Sequence, residues 1–135
     1  TLRAWLDGLR TLAEQHPVIL QVLGIDGKTT AGWLRVSIHV SRTLFNEGMQ
    51  GRALALNSYL FCSHAVALVM FENVEASFHS TLSLSHLDEL EPDEQNFLLE
   101  QLRPYHVKLS RNEVLEAGFD QLIGMLELEL AKLKR

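Results

Sequence analysis

One run of alternating residues constrains this chain more than any other feature of it. Leu34, Val36, Ile38 and Val40 alternate with Arg35, Ser37, His39 and Ser41, and most of the apolar members are β-branched. Side chains along a strand point to opposite faces in turn, so this period predicts a strand with one buried and one wet face. Val74, Ala76, Phe78, Leu82 and Leu84 alternate in the same way with Glu75, Ser77, His79, Thr81 and Ser83, which predicts a second half-exposed strand. Both imply a sheet that something must cover.

Helical signals supply the cover. Leu2, Trp5, Leu6, Leu9, Leu12 and Ala13 recur at three- and four-residue steps, predicting an amphipathic helix from Thr1 to Gln15 that Pro17 ends. Glycines mark Asn46 to Gly51 as a loop. Arg52 to Phe71 is apolar on both alternating faces, a pattern that buried helix and buried strands share. Its Ala- and Leu-rich part, Ala53 to Phe61, reads as helix, and Ala65 to Phe71, with Val66 and Val69, reads as a strand beyond a break at Cys62-Ser63-His64. Pro92, Asp93 and Glu94 open a helix to Arg103 that Pro104 stops, and Ser110 with Glu113 forms a capping box that opens the last helix, to Lys134. The expected fold is α+β, one domain over residues 1–135: an N-terminal helix, an antiparallel sheet of about four to five strands, a central helix and two C-terminal helices.

The stretch "GIDGKTT", Gly24 to Thr30, carries the sharpest alternative. It resembles the "GTNGKTT" loop of the Mur-type peptide ligases, which implies a nucleotide phosphate on the loop, with Lys28, Thr29 and Thr30 placed for phosphate and magnesium. A general phosphate loop would place a glycine where Val22 stands, and it must open a helix whose N-terminus faces the anion. The strand expected from Leu34 points instead to a hairpin. Asp26-Gly27 suits a type I′ turn, pairing Val18–Ile25 with Lys28–Val40.

Charge and composition narrow the function classes. A net charge of −5 with scattered basic residues argues against a nucleic-acid surface or an anionic membrane. The longest apolar run, Ala65 to Phe71, is short of the roughly 18 residues a membrane span needs, so no membrane insertion is expected. A lone cysteine, Cys62, fits a reducing, cytoplasmic setting. Cys62 with His64 is too small a set for a zinc site, and His79 and His86 lack ligand partners. The carboxylates of "HLDELEPDEQ", His86 to Gln95, read as solvated loop and helix-start residues. No catalytic, cofactor or metal residue is expected, and the chain reads as non-enzymatic.

The last helix is the candidate binding element. Leu115, Phe119, Leu122, Leu126, Leu130 and Leu133 form one stripe, and Val114, Gly118, Met125 and Leu128 form part of another. Both stripes could pack at home, or Val114, Met125 and Leu128 could form a partner or dimer surface; the expectation is a homodimer completed by this helix. The segments "ALNSYLF", "AVALVMFENVEASFHSTLSLS" and "LDELEPDEQNFLLEQL" resemble the small acidic CesT-type secretion chaperones. That resemblance implies a dimeric chaperone or adaptor holding a segment of a protein partner on its sheet, with the helix from Ser110 as an extra element.

Overall fold

The computed structural model describes residues 1–16, 31–73, 84–106 and 108–135, and every regular element among them is helical. They contain no strand, so the expected α+β fold with its antiparallel sheet is corrected to an all-α one. The elements are α1 (Leu2–Gln15), α2 (Ala31–Asn46), α3 (Gly51–Asn73), a 3₁₀ turn (Leu84–Glu89), α4 (Pro92–Phe97), a π segment (Leu98–Leu102), α5 (Arg103–His106) and α6 (Arg111–Leu133).

The run that suggested the first strand lies inside α2. Val40 and Leu44 are fully buried and Val36 and Trp33 half-buried, while Leu34, Ile38 and Phe45 face solvent. Alternation over seven residues is therefore divided between two sides of a helix: Val36, Val40 and Leu44 follow one another at four-residue steps on the inner side. Burial of that stripe outweighs the weak strand preference of valine and isoleucine. The Lys28–Val40 arm of the expected hairpin is likewise helical from Ala31 onward, and Val18–Thr30 lies outside the described residues.

The loop after α2 is a helix stop of the Schellman type. Gly48 takes φ +101°, its N–H donates to the Phe45 carbonyl at 2.9 Å, and the Met49 N–H donates to the Leu44 carbonyl at 3.0 Å. Met49 and Leu44 are both buried, the apolar contact that accompanies this geometry.

The break expected at Cys62-Ser63-His64 does not occur. Ser58, Phe61, Cys62, Ala65 and Val69 continue one buried stripe at three- and four-residue steps through it, with no proline or glycine to interrupt the turn, so the strand expected from Ala65 to Phe71 is the second half of α3. The strand expected from Val74 falls outside the described residues up to 83, and Leu84 opens the 3₁₀ turn. Helix continues past Pro104 to His106 because the preceding turn widens: the Arg103 N–H reaches back to the Leu98 carbonyl, a π-type step beside the residue that has no N–H to give.

Helix α3 is the centre, packed against α6, α2 and α1. Leu6, Leu9 and Ala13 of α1, Val40 and Leu44 of α2, the α3 stripe, and Leu115, Phe119, Leu122 and Leu126 of α6 form one core. Full burial of each such leucine or phenylalanine contributes about 1.5–3 kcal/mol. The ends of the chain are tied together: Thr1 Oγ1 caps α1 at the Ala4 N–H, and Arg3 reaches across to Glu116 and, at 2.8 Å, to Asp120 on α6. Arg10 adds Glu116 at 3.5 Å. Helix α6 starts as its sequence prescribes, with Ser110 Oγ accepting from the Glu113 N–H and the Glu113 carboxylate accepting from the Ser110 N–H.

Candidate functional site: the groove between α3 and α6

Where α3 and α6 run side by side they leave an apolar groove. Asn57, Leu60, Phe61 and His64 line it from α3, and Leu122, Met125 and Leu126 from α6. Phe61, Leu122 and Leu126 form its buried floor. Met125, 52% exposed, stands on its rim. Further along the outer faces of the same helices, Leu56 and Tyr59 on α3 and Leu128 on α6 are exposed, Tyr59 to 70% and Leu128 to 67%.

This surface follows from the composition of α3. Gly51–Met70 has a mean hydropathy of 1.6, enough by length and composition to cross a membrane, yet only 22% of it is buried. A helix apolar all round has more sides to bury than three neighbours cover. In the sequence Ser63 and His64 limit the longest uninterrupted apolar run to Ala65–Phe71. Taken as one 23-residue helix, the same residues display Leu56 and Tyr59 as surplus apolar side chains.

Of the residues expected on a partner surface, Met125 and Leu128 are exposed, and Met125 lines the groove; Val114 is half-buried and lies away from it. Cys62 is buried in α3, and desolvation pushes its thiol up to about 12, so it stays protonated at neutral pH. His64 is exposed two residues further on. His86 is exposed, 3.8 Å from Glu89. Among the described residues no three His, Cys, Asp or Glu side chains could together hold a metal ion. The carboxylates of residues 88–94 are exposed, and the Glu94 carboxylate accepts from the Glu91 N–H at 3.2 Å, as helix-start chemistry predicts. Gly24–Thr30 and His79 lie outside the described residues.

Comparison with protein families, with curated proteins and with solved structures returns no match. The groove therefore rests on its own geometry: an apolar floor, Met125 exposed on its rim, and Asn57 and His64 as its polar groups.

Proposed function

We propose that the chain is a helical protein-binding module that seats an amphipathic segment of a protein partner in the α3–α6 groove. The observation that supports this reading is the apolar floor of the groove with Met125 exposed on its rim, flanked by exposed Leu56 on the outer face of α3 and exposed Leu128 on that of α6. Apolar surface collected in one place marks contact sites, and a groove between helices suits the apolar face of a further helix. Asn57 and His64 offer hydrogen bonds that orient the guest.

A photo-crosslinking amino acid placed at Leu128 tests it in cells. The expected result is a protein adduct of defined mass that disappears when Met125→Lys is added, with the circular dichroism of the variant unchanged. An unshifted chain at every light dose rejects the reading.

A second reading has one observation in its favour. The described residues after Gly24–Thr30 are helical, Ala31–Asn46, and not the strand that argued against a phosphate loop there. On that reading the chain binds a nucleotide and Lys28 contacts its phosphates. A rise in melting temperature with ATP and magnesium that Lys28→Ala abolishes supports it, because a ligand bound only by the folded state raises stability. The same melting temperature with and without nucleotide rejects it.

A further inference from the structure

Residues 84–106 differ in charge and in packing from the rest of the chain. They carry Asp88, Glu89, Glu91, Asp93, Glu94 and Glu100 against the single base Arg103, so the whole net charge of −5 resides in them and the remaining residues balance. Their helical part, α4 through α5, packs chiefly against itself. It leaves Phe97, Leu99, Leu102 and Tyr105 in solvent, Phe97 to 58% and Tyr105 to 68%. This is an acidic amphipathic segment without a seat.

The α3–α6 groove has the complementary character. Leu68 meets Gly118, and Phe61 lines the same cavity as Leu122 and Leu126, so α3 and α6 run antiparallel. The start of α3 and the end of α6 therefore lie at one end of the groove, where Arg52, Lys134 and Arg135 are exposed and Lys132 pairs with Glu129 at 2.6 Å. We propose that the 84–106 segment of one copy fills the α3–α6 groove of a second copy, and reciprocally, in a two-fold symmetric dimer. This rests on the groove reading above and names its occupant. The apolar residues Phe97 to Tyr105 cover Met125 and Leu128, and the carboxylates of residues 88–94 extend over the basic end. A chain that carries both halves of such a contact makes it twice under two-fold symmetry. Complementary charge sets the direction and register of the docked segment.

The segment of the same chain does not fit this seat. Four residues separate His106 from Arg111, so docking within one chain is an antiparallel helical pair folded back at that point. At about 1.5 Å per residue Phe97 then stands about 14 Å from the fold-back, whereas Met125 and Leu128 stand about 21 and 26 Å along α6. Phe97 would meet the level of Asp120, and Glu100 that of Glu116 and Ala117, which sets acid beside acid and leaves the apolar rim uncovered. A second copy is free to slide to the matching register.

Two full-length variants and their mixture test the dimer. Phe97→Glu spoils the segment and leaves the groove intact; Leu128→Glu does the reverse. Light scattering coupled to size exclusion at micromolar concentration should show a wild-type dimer, each variant alone as a monomer with unchanged helicity, and a dimer again in the mixture. The mixed dimer has one contact of two and dissociates at least about tenfold more readily than wild type. Tyr105→Glu stands in for Phe97→Glu if that variant loses helicity. A wild-type monomer, a Phe97→Glu or Tyr105→Glu chain that still dimerises, or a mixture that stays monomeric overturns the proposal. If the wild type is monomeric but Leu128 still crosslinks to another protein, only the choice of a second copy fails; if both measurements are negative, the groove reading fails with it.

Discussion

Gly118 of α6 lies directly against Leu68 of α3, and a Cβ placed at Gly118 would sit inside the contact distance of Leu68 Cδ2 and 3.4 Å from its Cγ. The two helices meet there without a side chain between them on one side. Gly8 and Gly124 are also helical, yet a Cβ at either meets nothing within 4 Å.

The glycines therefore separate by context. Gly8→Ala and Gly124→Ala should each stabilise by up to about 1 kcal/mol through helix propensity alone. Gly118→Ala should fall short of them by about 1–3 kcal/mol, the usual penalty of overpacking, since Leu68 must turn away. Urea midpoints of the three variants decide it: equal gains at all three positions would show that α3 and α6 have slack at Leu68.

Trp5 ties α1 to its neighbours twice over. Its indole Nε1–H donates to the Val36 carbonyl of α2 at 2.8 Å, and its ring lies 5.7 Å from that of Phe61 on α3. Trp5→Phe keeps an aromatic ring and removes the donor, so a loss of about 0.5–1.5 kcal/mol is expected in chemical denaturation. No loss would mean that water replaces the bond without penalty.

Arg3 tests the electrostatic strap between α1 and α6. Burial lowers its pKa, but the Glu116 hydrogen bond and the charges of Glu116, Asp7 and Asp120 outweigh that and leave it raised, so the guanidinium is charged at every pH where the chain folds. Arg3→Gln leaves three carboxylates facing one another and should lower the melting temperature most at low salt. The difference from wild type should shrink as salt screens the charges. A salt-independent difference would assign the role to the contact of Arg3 over the Phe119 ring, 5.5 Å away.

Cys62 gives stability a signature in alkali. Its thiol is raised from 9.0 to about 12 in the folded state because desolvation favours the neutral form. The unfolded chain therefore releases this proton first. Stability from this group is intact below pH 9.0 and declines between 9.0 and about 12, by at most about 1.4 kcal/mol per pH unit. Wild type should lose stability more steeply than Cys62→Ala across that window, and a thiol reagent at neutral pH should label Cys62 only as fast as the chain opens. Rapid labelling of the native protein would contradict its burial.

The helices at the ends of the chain were legible because local chemistry decides them. Ser110 and Glu113 act on the backbone next to them, and the stripes of α1 and α6 repeat over several turns. The middle was misread because its signals are short. Leu34 to Val40 alternates for only seven residues, and it took the burial of Val40 and Leu44 together to show the four-residue step. Ser63 and His64 interrupt an apolar run without interrupting a helix. The helix observed from Ala31 onward removes the objection to a phosphate loop at Gly24–Thr30, which rested on a strand in the place of α2. Met125 and Leu128 were found from the second stripe of α6. The exposure of Leu56 shows only once the length of α3 is known, and that of Phe97 and Tyr105 only once α4 through α5 is seen to pack mainly on itself.

The central position of α3 sets an order of opening. Its amides between Phe61 and Val69 sit among three other helices, so they exchange with solvent deuterium only when the whole bundle comes apart. The amides of α4 through α5, held mainly by one another, open through local fluctuation at far lower free energy. A slowly exchanging bundle is thus joined to a quickly exchanging segment, and the protection of that segment is what the proposed docking would raise.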